Sequence, residues 1–229
     1  MKYLVIIPAR GGSKGIPRKN IKELRGKPLI YYSISAAMEV FSKRNDAMVI
    51  VSTDDEEIKR VALRFGAEVP FLRPKIISND KSASIDYVFH ALNFFQSQGE
   101  HPENIIILQP TSPLRTAADI QAATEIYEEN CAKSLISVYK EDTLNEKIMY
   151  RQEGMRGLPI VPTHNAGRRR QEDESVLVRN GAMYVIEANT LIADNTLVSN
   201  SPYIYIMPKV RSINIDTPDD FLIAEGLIP

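Results

Sequence analysis

Short, unbroken apolar runs alternate along this chain with longer segments in which apolar residues recur at helical spacing. Tyr3–Pro8 is β-branched, continuous and ended by a proline, the pattern of a strand buried on both faces. Ala47–Val51, Asn104–Leu108 and Ser134–Val138 read the same way. Between them fall four helical segments, Pro28–Phe41, Asp55–Phe65, Ser84–Gln96 and Thr116–Asn130. Pro28 suits a first-turn position. The second helix has acids in its first turn and Gly66 just past its end. Thr116 with Asp119 three residues on is a capping-box variant. Later, Ala182–Ile186 and Tyr203–Met207 are strand-like, and Pro218–Leu227 is a short closing helix.

Strands alternating with helices predict an α/β fold, a mostly parallel Rossmann-like sheet with helices on both faces. Ligands bind such sheets beyond the carboxyl ends of the strands. Four loops therefore become the places to search: Ala9–Asn20, Ser52–Asp55, Gln109–Arg115 and Asn214–Asp220. Tyr139–Arg179 breaks the rhythm. It is polar, weakly periodic and roughly 40 residues long, where loops beyond about 15 are usually functional or extended arms. The expected organisation is one domain over residues 1–229 with residues 139–179 as an inserted arm.

Composition narrows the function. The chain has 229 residues, enough for one sizeable core. Its formal net charge of −1 argues against general nucleic-acid binding, so any anion site must come from local clustering. A single cysteine, Cys131, allows no intrachain disulfide and fits a reducing compartment. Met1–Pro8 is too short for a signal peptide, and no run approaches the roughly 20 apolar residues of a membrane span. A cytoplasmic protein without membrane partners is expected. His90, His101 and His164 lack metal-ligand spacing.

The clustering exists. Arg10 to Lys22 carries five cations (Arg10, Lys14, Arg18, Lys19, Lys22) and no acid. Gly11, Gly12 and Gly15 let the backbone approach a ligand and turn N–H groups toward an anion. The loop leaves the first buried strand directly, which favours a phosphate grip over a solvated basic loop. It has neither the Walker A spacing nor the G-x-G-x-x-G of dinucleotide folds.

Pro8-Ala9-Arg10-Gly11-Gly12-Ser13-Lys14-Gly15-Ile16-Pro17-Arg18-Lys19-Asn20 resembles the signature loop of the acylneuraminate cytidylyltransferases, the CMP-sialic acid synthetases. The resemblance extends over nearly the whole chain through several separated motifs, and implies a nucleotidyltransferase fold. It also implies condensation of CTP with a nine-carbon α-keto sugar acid to give the CMP-sugar and pyrophosphate. Carried onto this chain, it makes Arg10, Ser13, Lys14 and Lys19 ligands of the triphosphate. Asn20 would contact ribose or phosphates, the main chain at Ala9 and the Arg73-Pro74 turn would border the cytosine, and Ser84 would face the nucleotide.

Two prolines fix Gln109-Pro110-Thr111-Ser112-Pro113-Leu114-Arg115. By the same resemblance Gln109 meets the sugar acid, and a glutamine rather than an acid here favours a nonulosonic acid over the eight-carbon Kdo. A carboxylate substrate suits the planar fork of arginine. Arg168, Arg169, Arg170 and Arg179 are candidates. Arg170-Gln171 and Arg179-Asn180-Gly181-Ala182 resemble family elements, which selects Arg170 and Arg179. Lys147 and Tyr184 are further candidates. The resemblance also makes the irregular segment a dimerisation arm reaching the partner's site, hence a homodimer with composite sites.

Transfer from a nucleoside triphosphate calls for Mg²⁺. Ser212–Thr217 is read as the end of a strand, and alternation puts Asn214 and Asp216 on one face. The family pattern is D-I-D and this chain has N-I-D, so Asp216 is the expected principal ligand and Asn214 a neutral one. The expected catalytic set is Lys14, Lys19, Arg10 and Asp216, acting by positioning and charge stabilisation while the anomeric hydroxyl attacks the α-phosphorus. Two alternatives stay open: the same chemistry on Kdo, and a nucleotide-binding homologue impaired by Asn214.

Overall fold

A computed structural model of the chain describes every residue except Lys14, Asn145, residues 166–174 and Pro229. In chain order it contains β1 (Tyr3–Pro8), β2 (Glu23–Leu24), β3 (Lys27–Pro28), α1 (Leu29–Phe41), β4 (Ala47–Ser52) and α2 (Glu56–Arg64). Then follow α3 (Ser84–Ser97), β5 (Asn104–Leu108), α4 (Ala117–Glu129), β6 (Ser134–Glu141), β7 (Tyr150–Glu153), β8 (Arg156–Pro159) and β9 (Val176–Glu187). The last elements are α5 (Ala188–Asp194), β10 (Tyr203–Ile206) and α6 (Pro218–Leu227). Six strands form the central sheet in the order β10-β6-β9-β5-β1-β4.

Strand β1 shows why this sheet is buried on both sides. Tyr3, Val5 and Ile7 join one apolar layer with α1, α2 and α4. Leu4 and Ile6 join the opposite layer with α3 and α5. Successive side chains of a strand point to opposite faces, so a continuous apolar run is what a sheet covered by helices on both faces requires. β5 divides likewise, Ile106 and Leu108 to the first layer, Ile105 and Ile107 to the second. The capping box at Thr116 is present in full: Thr116 Oγ1 accepts from the Asp119 N–H at 3.2 Å and Asp119 accepts from the Thr116 N–H at 2.8 Å.

One strand departs from the parallel pattern in a way that shapes the site. β4 and β5 flank β1 in parallel, and β10 runs parallel to β6. β9 is antiparallel to both β5 and β6. Its early residues therefore lie at the carboxyl end of β5, where Met183 pairs with Leu108. The register slips between Ile136 and Val138, a bulge at Asn180-Gly181. Gly181 has φ +74°, a left-handed value that glycine adopts without strain.

The irregular segment has more structure than its sequence pattern indicates. β6 and β9 extend into it, pairing as far as Glu141 with Val176. Beyond them β7 and β8 form a separate hairpin whose surface is largely exposed. The expected strand at Ser212–Thr217 is absent. An extended segment follows a 3₁₀ turn at Lys209–Arg211 instead, and the Ile215 N–H donates to the Thr111 carbonyl at 2.8 Å. Among the described residues no helix is long and apolar enough to cross a membrane.

Candidate active site

The loop after β1 is held by its own polar groups. Ala9 is buried and its N–H donates to the Ser52 carbonyl at 2.9 Å, which continues the strand pairing. Buried Asn20 donates from Nδ2 to the Arg10 carbonyl at 3.0 Å and closes the loop. Gly15 lies so near the Asp216 carbonyl that any Cβ there would overlap backbone. The Gly11 N–H is already engaged, donating to Asp54 Oδ1 at 2.9 Å.

The loop's cations divide into two groups. Arg10, Ser13, Lys19 and Asn20 line a cleft of about 270 Å³. Arg18 and Lys22 brace the loop. Arg18 pairs with Asp55 and Glu57 of the α2 N-terminus, and Lys22 lies 5.3 Å from the Phe221 ring. The Arg18 guanidinium holds the Asp55 carboxyl down at about 2, helped by the N–H groups of Glu57 and Ile58 that Asp55 caps. Inside the cleft the cations are matched by acids. Arg10 pairs with Asp80 at 2.7 Å, and Lys19 Nζ donates to the Ile215 carbonyl at 2.8 Å and to Asp216 Oδ1 at 3.2 Å. Lys14 lies outside the described residues.

The opposite wall carries Arg73, Ser84, Tyr87 and Gln109. Arg73 is buried, donates to the Ser52 carbonyl and sits 5.2 Å from the Tyr87 ring. Burial lowers its pKa and pushes the Tyr87 hydroxyl up to about 12. Gln109 Nε2 is 3.4 Å from the Tyr87 hydroxyl. Ser84 is the first residue of α3 rather than its cap, because Ala83 holds that position and Asp86 accepts its N–H at 2.9 Å. Ser84 is thereby left to face the cleft. Tyr87 and the polar rim Ser78, Asn79, Asp80 and Ser82 were not legible as site residues. Their only signal is a polar cluster ahead of a helix.

Gln109 also borders two further clefts. One, of about 270 Å³, is lined by Ser84, Tyr87, Arg179 and Tyr184 with Thr196, Leu197 and Val198. The other, about 540 Å³, includes Thr111, Tyr139, Arg179, Asn214 and Asp216. The antiparallel course of β9 brings Arg179 here, with its guanidinium 5.8 Å from the Tyr184 ring. Buried Asn180 fixes the bulge: Oδ1 accepts from Ser137 Oγ at 2.6 Å and the Ala182 N–H at 3.1 Å, and Nδ2 donates to Ser212 Oγ at 3.0 Å. Lys147 lies in a 3₁₀ turn at Glu146–Ile148 and lines none of these three clefts. Arg168, Arg169 and Arg170 lie outside the described residues.

Asn214 and Asp216 are neighbours even without a strand, the amide Nδ2 donating to Asp216 Oδ2. Thr217, not Asp216, caps α6, and Asp220 accepts the Asp216 N–H at 3.0 Å. The Asp216 side chain is thus 66% exposed and open toward the clefts. Among the described residues no three His, Cys, Asp or Glu side chains gather in one place. A cation held mainly by substrate phosphates needs only one or two carboxylates from the protein, and Asp216 offers one carboxylate here, engaged by Lys19 on Oδ1 and by the Asn214 amide on Oδ2.

Known proteins resemble the chain in sequence and fold. A family model described as cytidylyltransferase matches residues 4–157. Pseudaminic acid cytidylyltransferase of Campylobacter jejuni is 33% identical, over 99% of this chain and 96% of its own. CMP-N,N'-diacetyllegionaminic acid synthase of Legionella pneumophila is 33% identical, over 100% of this chain and 97% of its own. N-acylneuraminate cytidylyltransferase of Streptococcus agalactiae is 34% identical over 99% of this chain, which spans only 53% of that protein. The solved CMP:2-keto-3-deoxy-manno-octonic acid synthetase complexed with CTP shares the fold, with a TM-score of 0.69 at 18% identity over 99% of this chain and 98% of its own. The basic loop on β1 and the Gln109 turn on β5 both fall within the matched segment, and the chain belongs to the cytidylyltransferase family.

Proposed function

We propose that this chain transfers CMP from CTP to the anomeric hydroxyl of a nonulosonic sugar acid and releases pyrophosphate. The observation that carries the reading is the junction at Gln109. A basic cleft lined by the β1 loop opens there onto two clefts that share Arg179 and Tyr184. A triphosphate fits the first and an anionic sugar the others, with the reacting oxygen and phosphorus meeting between them. The relatives of nearly equal length act on pseudaminic and N,N'-diacetyllegionaminic acids by their names, which supports the same substrate class here.

In this reading Arg10, Ser13, Lys14, Lys19 and Asn20 bind the triphosphate. Ala9, Arg73 and Ser84 border the nucleoside. Gln109, Arg179, Tyr184, Lys147 and Arg170 belong to the sugar acid. Asp216 and Asn214 hold Mg²⁺, which when bound neutralises charge on the phosphates. The protein orients the attacking hydroxyl and stabilises the leaving charge without a covalent intermediate. The arm carries exposed Ile148, Met149, Tyr150, Leu158 and Ile160, an apolar surface suited to a second copy of the chain. A homodimer with composite sites follows, with Lys147 and Arg170 acting from the arm.

Pyrophosphate release with CTP and a panel of sugar acids tests this. Turnover with a nonulosonic acid and not with Kdo is expected. Turnover with Kdo alone would overturn the substrate class. CTP-selective stabilisation with no turnover on any acid would make the chain a nucleotide-binding homologue.

A further inference from the structure

Arg115 follows the Gln109 turn and is 3% exposed, although it belongs to a loop. A guanidinium withdrawn from water is costly unless its N–H groups find partners. Here the two terminal nitrogens find them on three elements, while Nε is buried without a partner among the described residues. Nη1 donates to the Ala182 carbonyl at 2.6 Å and to the Gln109 carbonyl at 3.2 Å. Nη2 donates to Ser33 Oγ at 2.6 Å, and that hydroxyl donates to the same Gln109 carbonyl at 3.2 Å. Burial draws the Arg115 pKa down to about 10, with the nearby Asp119 charge opposing, so the side chain stays charged at neutral pH. Asp119 itself is occupied by Arg211, Thr116 and Tyr205, so the Arg115 charge has backbone and hydroxyl oxygens as its direct partners.

The geometry points to Arg115 as a positioning residue that sets the distance between Gln109 and the Arg179-bearing bulge, and so the shape of the sugar-acid site. The inference rests on the function proposed above. Gln109 directly follows β5, and Ala182 follows Arg179-Asn180-Gly181 on β9. These strands already pair from Asn104–Glu187 to Leu108–Met183, but that ladder stops short of both Gln109 and Arg179. Arg115 bridges the first carbonyl of each strand past the end of the ladder, Gln109 and Ala182. Ser33 anchors the bridge to α1, which packs beneath the sheet. The Arg115 guanidinium bonds to Gln109, Ala182 and Ser33, all outside the Ala9–Asn20 loop, so its effect should fall on the sugar side.

The test compares wild type, Arg115→Lys and Ser33→Ala. Lysine keeps the charge and cannot span three acceptors with fixed planar geometry. The Gln109 side-chain NH₂ pair in ¹⁵N NMR, assigned by its loss in Gln109→Glu, reads the turn without any turnover. In Arg115→Lys that signal should shift while the backbone signals of Gly11, Ser13 and Asn20 stay. The KM for the sugar acid should rise roughly ten- to hundredfold, with CTP affinity within about twofold of wild type. Ser33→Ala should move both readouts in the same direction by less. An unmoved Gln109 signal overturns the inference even if the wild type accepts no sugar acid. That last result would instead remove the proposed function. Equal losses for CTP and sugar, or a fall in stability alone with an unchanged sugar KM, would also overturn it.

Discussion

The basic cleft and the two clefts around Arg179 share Gln109 and are built by different means. The two described loop cations that line the basic cleft each meet an acid, Arg10 with Asp80 and Lys19 with Asp216, and behind them Arg18 meets Asp55. Around Arg179 the order comes from neutral and backbone partners, Asn180 with Ser137 and Ser212 and Gln109 with Tyr87, plus the buried Arg115 bridge. The difference teaches what each half would ask of an anion under the proposed function. In the first, a triphosphate would have to replace carboxylates already in place, so its affinity would be a difference between two sets of ion pairs. In the second, binding would depend on geometry held by hydrogen bonds, so small displacements would matter more than charge.

Removing a cleft cation should have the largest effect. Lys19 is only 14% exposed and reaches both the Ile215 carbonyl and Asp216. Lys19→Met should lower kcat/KM by about 10²–10³, the loss usual for one preorganised donor at a site of developing charge. CTP-induced thermal stabilisation should shrink with it. Wild-type stabilisation by CTP in this variant would break the assignment of the cleft to the nucleotide.

The arm sharpens the other side of the comparison. Ile148 and Ile160 are 55% and 45% exposed. If the proposed homodimer forms through this surface, Ile148→Asp with Ile160→Asp should convert it to a monomer in light scattering. If the arm completes the partner's sugar site, KM for the sugar acid rises roughly tenfold while CTP binding holds. A monomer with unaltered sugar KM would separate dimerisation from the site.

Asn214→Asp probes charge directly. A second carboxylate beside Asp216 should reduce the Mg²⁺ concentration for half-maximal rate by about three- to tenfold, since ligand charge count tunes cation affinity. An unchanged Mg²⁺ dependence would place the metal elsewhere.

How much of this was legible depends on sequence distance. The β1 loop was readable because its glycines and cations are contiguous and follow an unmistakable buried strand. That Arg18 and Lys22 brace the loop was not readable, because their partners Asp55, Glu57 and Phe221 come from distant segments. An apolar run does not state its direction, so the reversal of β9 that carries Arg179 to Gln109 was invisible. Arg115 looked like the tail of a loop, since burial of a cation leaves no mark on periodicity. Asn214 and Asp216 were expected to share a face by strand alternation. They do lie together, but in an extended segment pinned by Ile215 and not in a strand.

The smallest effect expected concerns Asp55. Its pKa falls from 3.8 to about 2 in the folded chain, first through the Arg18 hydrogen bond. A depressed carboxyl contributes stability that is present above its unfolded value and is lost as pH falls through the folded one. The window here runs from about pH 4 to about pH 2. The Asp55 side chain is 20% exposed but Arg18 is 41% exposed, so solvent screening reduces the contribution to about 1 kcal/mol. Asp55→Asn keeps an oxygen able to cap α2 and removes only the charge. Urea midpoints should therefore differ between wild type and variant at pH 7 and converge near pH 2. CTP affinity should drop slightly at pH 7, because Arg18 then pins the β1 loop to α2 mainly through Glu57. A stability difference that stays constant from pH 7 to pH 2 would mean that Asp55 acts as a helix cap alone. The loop's outer cation would then contribute nothing to the charge matching that distinguishes the basic cleft from its neighbours.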